Sequence, residues 1–379
     1  MSERIIRNAR IVTATDTFTG CVQLEGGTIR AIDPGTTQVA AAEDWEGDWL
    51  LPGLVELHTD NLEKHLVPRP GVIWNATSAT VTHDAQCAAS GITTVLDSIV
   101  IGDMDQGGTR SQTYQVSIDA LHACRESKLM RVEHLLHLRC EVSAPDIVEN
   151  FEKYADDPLV ELVSVMDHTP GQRQWRDLAK YRRYTERNGS LRDEEYDRLV
   201  KERTEQQALF AARHRSQVVA GSHARGIPLA SHDDTEVEHV DLARDERVSV
   251  SEFPTTVRAA QAAREAGMAI VMGGPNLVKG GSHSGNVSAA ELAERDLLDI
   301  MSSDYVPSSL IQSVFLLRDQ LGWTLSKAVA TASRNPARAL GLQDRGELAP
   351  GQRADFIRVK EVGGMPVVRA AWCKGERAF

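Results

Sequence analysis

His58 and Asp60, two residues apart, close a run that begins with the apolar Leu54, Val55 and Leu57. Side chains two apart on a strand point the same way, so this pair can grip one ion together. Neutral imidazole and carboxylate are the common protein ligands of zinc, manganese and iron in catalytic sites. The same ending recurs along the chain: further short apolar runs stop at Glu141, at Asp167-His168, at His232-Asp233-Asp234, at Glu252 and at Asp304. One histidine on an apolar strand is most often a core residue, but recurrence at the ends of most runs is not explained by packing. The set suits a divalent metal centre of one or two ions, zinc or manganese, holding a hydroxide. On the third run the period of two puts His137, Arg139 and Glu141 on one face, with Glu141 uppermost.

The elements that must position these side chains follow from the same runs. They lie at 54–58, 92–97, 132–141, 161–167, 227–231, 248–253, 269–273 and 298–303, and helical stretches such as "SQTYQVSIDALHACRES" separate them. Strand and helix alternating in this way give an α/β fold, a (β/α)8 TIM barrel of ~250 residues whose working groups sit at the C-terminal strand ends. A doubly wound sheet would carry GxGxxG or GxxxxGK[ST] on its first strand–helix turn, and neither motif is there. Residues 1–50 and 347–379 read instead as short strands and tight turns, and predict a small β-sandwich domain built from both termini, with 51–346 as the barrel. Residues 172–220 are densely charged and helical, either a solvated insertion or a lid or subunit contact. His83-Asp84 is expected to open the helix before the second strand, as a cap or a support for the site.

Bulk properties narrow the classes. The chain has 379 residues, 41% of them apolar, with 42 Lys plus Arg against 54 acids and a formal charge of −12. A sequence-independent nucleic-acid binder is normally basic, so nucleic acid is not an expected partner, and neither is a membrane surface. No run reaches the ~18 uncharged apolar residues of a transmembrane helix, and the opening "MSERIIRNARIV" has no apolar leader core. The five cysteines are scattered and form no CxxC pair, which points to reduced thiols and a cytoplasmic location. An acidic protein can still take an anionic substrate where a metal or local cations reverse the field.

"LLPGLVELHTD" near the start, "SSD" late and "GELAPGQRADFI" at the close together resemble the amidohydrolase superfamily. Within it the chain is most similar to the branch that opens a ribose triphosphate in phosphonate breakdown by the carbon–phosphorus lyase route. The stretches "ELHTDNLEKH", "PRPGVIW", "ASGITTVLD", "HLRCE", "MDHTPGQRQ", "LASHDD", "EFPTT", "GGPNLVKGGSHSGN" and "LLDIMSSDY" carry that likeness. The resemblance implies a metal-dependent hydrolase that attacks the α-phosphorus of a small-molecule ribose triphosphate and releases diphosphate. It implies His58, Asp60, His168 and His232 as ligands and Asp304 as the eighth-strand aspartate, expected to handle the proton. The superfamily's usual His-x-His is His-x-Asp here. No lysine presents itself for carboxylation, so Glu141 is nominated as the bridging ligand. A deacetylase or cyclic amidase acting on a C–N bond is the alternative, and a non-catalytic assembly protein a third reading. A homo-oligomer is expected.

A triphosphate needs cations at the mouth. "NLVKGGSHSGN" after the seventh run offers Lys279, Ser282, His283 and Asn286, with glycines that let backbone N–H groups approach an anion. Lys64, Arg69, Arg139 and Arg173 are further cations expected near the mouth.

Overall fold

The computed structural model describes residues 3–69, 71–104, 109–186, 190–282 and 285–379. Two sheets organise it. Strands β1 (Arg4–Val12), β2 (Thr17–Glu25), β3 (Thr28–Pro34), β4 (Glu43–Asp44) and β5 (Trp49–Pro52) come from the N-terminal side. The barrel strands are β6 (Leu54–Thr59), β7 (Ile92–Ile101), β8 (Glu133–Glu141), β9 (Val160–Met166), β10 (Leu229–His232), β11 (Val250–Glu252), β12 (Ala269–Gly273) and β13 (Ile300–Ser302). The chain closes with β14 (Phe356–Val362), β15 (Met365–Cys373) and β16 (Glu376–Arg377).

The eight barrel strands are parallel and ordered as in the sequence, β6 to β13. Each of the eight expected runs became one strand, with ends shifted by a few residues. Every residue of β6 and β7 is buried, because a parallel strand is covered by helices on one side and barrel filling on the other. Closure comes through the strand ends that carry the site. Asp304 N–H donates to the His58 carbonyl and Asp60 N–H to the Asp304 carbonyl, both at 3.1 Å. Below them the buried Glu56 carboxyl accepts from His58 N–H (2.7 Å) and Ser303 N–H (2.6 Å), and burial pushes its pKa up to about 8.

The second sheet joins both ends of the chain in the order β16-β15-β14-β5-β1-β2-β3. Its hairpins turn on the two-residue loops Gly26-Gly27 and Gly363-Gly364, all with positive φ, the backbone that two-residue hairpins demand. The sheet wraps its own core, in which the Phe356 and Trp372 rings stack at 4.7 Å beside Trp45.

Two expectations change. Residues 172–220 are not a self-contained insertion. The helix Asp193–Arg225 has 33 residues, and its second half buries Ala211, His214, Arg215, Val218, Val219 and Ser222. That spacing is one helical face, so this half is the barrel's own crossover helix into β10. Only the first half and the short helix Leu178–Thr185 are additional, packed round Trp175, Tyr181 and Tyr196. Likewise His83-Asp84 opens nothing: it lies inside the helix Ala76–Ala89, which Asn75 caps by accepting from Ser78 N–H. Among the described residues no helix is long and apolar enough to cross a membrane.

Candidate active site

The C-terminal ends of the barrel strands open into a cavity of about 1260 Å³ lined by His58, Asp60, His168, His232, Asp233 and Asp304, among others. Three imidazoles meet there, and all three use Nδ1 in the same way. His58 Nδ1–H and His232 Nδ1–H each donate at 2.6 Å to one oxygen of Glu252, at the end of β11. His168 Nδ1–H donates at 2.8 Å to Glu141, which also accepts His168 N–H at 3.2 Å. A carboxylate on Nδ1 settles the tautomer and leaves Nε2 as the unprotonated nitrogen. The His58 and His232 rings lie nearly parallel, 5.7 Å apart, with His168 edge-on to His232 at 5.4 Å. His168, His232 and Asp233 bring their ligand atoms within 4.8 Å of one another.

The oxygens facing these rings lack partners. Asp60 Oδ1 and Asp233 Oδ2 are buried with no hydrogen bond among the described residues. Asp233 Oδ2 stands 3.4 Å from His232 Nε2 and 3.7 Å from His168 Nε2. A buried unpaired carboxylate oxygen is costly unless something positive meets it. Burial lowers the pKa of His58 and keeps it neutral. At Glu252 burial pushes the pKa up, but His58, His137 and the bond from His232 outweigh it and hold the carboxyl well below its usual range. At His232 burial disfavours the cation, yet Asp233 and Glu252 prevail and raise its pKa. Surplus negative charge therefore draws positive charge to the site, a proton on His232 or a divalent cation on the same nitrogen and carboxylate donors.

Three of the ten described non-glycine residues with positive φ stand at this mouth. Asp233, Phe253 and Asp304, just past the ends of β10, β11 and β13, have φ of 57°, 56° and 53°. Each left-handed non-glycine residue costs roughly 1–3 kcal/mol, a cost that characteristically falls at functional positions. Burial, then the neighbouring Asp60, pushes Asp304 up to about 7, against the pull of Arg139, His232 and Lys64.

The structure thus brings His58, Asp60, Glu141, His168, His232 and Asp304 to one mouth. Arg139, Lys64, Lys279, Ser282 and Asn286 also line the cavity. Lys64 is partly engaged, donating at 2.7 Å to the Tyr305 carbonyl with its ammonium over the Tyr305 ring. Arg69 stands exposed in a turn and is not among the lining residues. Arg173 is buried behind the site, where it donates to the His232 carbonyl at 2.8 Å and pairs with Asp234. His283 lies outside the described residues. Sequence reasoning named Asp233 only as part of the ending His232-Asp233-Asp234 and did not nominate it as a ligand. It also missed Trp175, on the 3-10 turn Arg173–Trp175, and Tyr181 and Tyr184, on the added helix Leu178–Thr185, which line the cavity and whose position no local signal announces.

A family model described as "Amidohydrolase family" matches residues 49–378. Among curated proteins, the α-D-ribose 1-methylphosphonate 5-triphosphate diphosphatase of Escherichia coli (strain K12) is 44% identical over 377 residues, 99% of this chain and 100% of that one. An imidazolonepropionase of Ruegeria pomeroyi is 47% identical over 61 residues only, 15% of each chain. Among solved structures, an N-isopropylammelide isopropylaminohydrolase from Burkholderia multivorans has a TM-score of 0.66 at 17% identity, covering 100% of this chain and 98% of that one. An N-acetyl-D-glucosamine-6-phosphate deacetylase from Mycobacterium smegmatis gives the same TM-score at 15% identity, covering 100% of both chains. At such identities these two speak to the fold alone.

Proposed function

The chain belongs to the amidohydrolase family, and on that footing we propose that it is a hydrolase of α-D-ribose 1-methylphosphonate 5-triphosphate, yielding the 5-monophosphate and diphosphate. The observation that carries this reading is the 44% identity with a diphosphatase of that substrate over the whole of both chains. The five cysteines are free, which accords with a cytoplasmic enzyme.

His58, Asp60, His168 and His232 would hold the divalent metal, zinc or manganese, with Asp233 adding its unpartnered oxygen. Once bound, such an ion lowers the pKa of water and neutralises phosphate oxygens. Glu252 and Glu141 act through the histidines: each orients an imidazole and makes its Nε2 more basic. Glu141 was nominated as a bridging ligand, but its bonds to His168 N–H and Nδ1–H support the orienting role better. Asp304 receives the proton of the attacking water. A divalent cation beside it would favour the ionised carboxylate, the form that can accept that proton. Lys279, Ser282 and Asn286 bind the polyphosphate tail, and Arg139 and Lys64 add positive charge beside the reacting phosphorus.

The test is product analysis in ¹⁸O-labelled water. The expected result is diphosphate free of label and label in the monophosphate, which places attack at the α-phosphorus. Label in the diphosphate, orthophosphate as first product, or turnover of amides in place of the triphosphate would each overturn the reading.

A further inference from the structure

The added helix Leu178–Thr185 faces the glycine-rich loop across the mouth. Tyr181, Tyr184 and Thr185 line the cavity from the helix side, and Gly281, Ser282 and Asn286 from the loop side. Lys180 is not itself among the lining residues; its ammonium reaches the loop at Gly285, between the lining residues Ser282 and Asn286. A Cβ placed on Gly285, whose φ is +70°, would lie 2.9 Å from Lys180 Nζ. Glycine at 285 allows the left-handed backbone, and the Lys180 ammonium lies against it. Lys180 is half-buried and forms no ion pair among the described residues.

An unpaired ammonium held against a loop rich in glycine is poorly explained as a structural tie, because the loop offers it no carboxylate at that point. It is well explained by an anion that both walls grip. Four cations line the cavity, Lys64, Arg139, Arg203 and Lys279, and two of them are engaged. Lys64 already donates to Tyr305, and Arg203 is tied to the Met104 carbonyl. Asp60, Glu63, Asp103, Asp233 and Asp304 add negative charge around the same space.

We propose that Lys180 is a substrate-binding residue that, with Lys279 opposite, grips the two phosphates of the leaving diphosphate, and that this contact is what the added helix contributes to the barrel. The proposal deepens the diphosphatase reading and rests on it for the identity of the tail. It assigns the ligand chemistry as a terminal di- or triphosphate. Lys180 does not touch the metal site, so its loss weakens binding of the tail and leaves the metal in place.

The experiment compares Lys180→Met, which keeps length without charge, and Lys180→Arg, which restores a cation, with the native chain. Calorimetric titration of the metal-loaded protein with inorganic tripolyphosphate reads tail binding without turnover, and steady-state kinetics read KM and kcat for the ribose triphosphate. Loss of one charge-assisted phosphate contact should weaken tripolyphosphate binding roughly tenfold in Lys180→Met and raise KM by a similar factor. Metal content, melting temperature and kcat should stay near native, and Lys180→Arg should recover most of the binding. Unchanged tripolyphosphate affinity in Lys180→Met overturns the proposal, as does an equal loss in Lys180→Arg or a fall in kcat with constant KM. Failure of the native enzyme to release diphosphate would sink the diphosphatase reading instead, while the calorimetric result would still decide the role of Lys180.

Discussion

Two histidine–carboxylate clusters of nearly the same composition stand on the same barrel. One is the mouth, with His58, His168 and His232 against Glu252, Glu141 and Asp233. The other lies behind β7 and β8, where the helix Ala76–Ala89 packs. There His83 Nε2–H and His134 Nδ1–H donate at 2.7 Å to the two oxygens of Asp97. His83, Asp97 and His134 also bring ligand atoms within 4.8 Å of one another, so residue type and proximity do not separate the clusters. Saturation does. In the rear cluster Asn61 donates to His83 Nδ1 at 2.9 Å. Asp84 takes Arg131 N–H and Val132 N–H and lies 3.4 Å from His134 Nε2. Neither carboxylate there is left with a buried unpartnered oxygen, whereas Asp60 and Asp233 at the mouth are. The rear cluster pairs both carboxylates and ties helix to strands, leaving without a hydrogen bond a nitrogen, His134 Nε2, 3.4 Å from Asp84, in place of an oxygen. The mouth keeps nitrogen and oxygen in reserve beside a cavity.

The comparison breaks first on metal content. His232→Asn or His168→Asn should abolish turnover and reduce bound metal to a small fraction of native, measured by elemental analysis of protein purified without added metal. His83→Gln should leave metal content unchanged. Retention of full metal in His232→Asn, or its loss in His83→Gln, would reverse the roles given to the two clusters.

A smaller effect is expected at Asp304. Asp304→Asn keeps size and one oxygen but cannot take a proton, so turnover should fall at least ~100-fold, the low end of a general acid–base contribution, with metal near native. Metal lost in step with activity would make Asp304 a ligand.

Glu252→Gln sharpens the contrast further. It removes the charge behind His58 and His232 without touching their Nε2 atoms. Metal affinity should weaken by roughly 10–100-fold, as when a partner of a ligand is lost, measured by competition with a chelator. An unchanged affinity would leave Glu252 a bystander.

The smallest effect belongs to the rear cluster and concerns stability. At His134 burial disfavours the cation, but Asp97 and Asp84 raise the pKa to about 9. A raised imidazole contributes stability that is fully present below its unfolded value of ~6.5 and is lost as pH rises through about 9. The native melting temperature should therefore drop on going from pH 7 to pH 10. His134→Gln should melt lower at pH 7 and lose less over that interval. An identical alkaline slope in the two proteins would remove His134 as the titrating group.

Much of this was legible along the chain. The eight strands could be found because a strand buried on both faces must be apolar throughout, and Gly26-Gly27 between apolar runs marked the N-terminal hairpin. His58, Asp60, His168, His232 and Asp304 were visible because a parallel barrel exposes the C-terminal ends of its strands, and polar residues there interrupt a pattern set by burial. Other features depended on the folded chain. Asp97 and Glu252 both sit in apolar runs, and nothing local distinguishes the carboxylate that supports a helix from the one that orients two ligands. Which side of the barrel wall a side chain faces, and whether its partners there use up its hydrogen bonds, is set by residues on other elements, 14 and 37 positions away for Asp97. His58 meets Glu252 in this way across 194 positions. The placement of Tyr181 and Tyr184 has the same origin: helices of charged sequence look solvated until packing turns one side of them over the mouth.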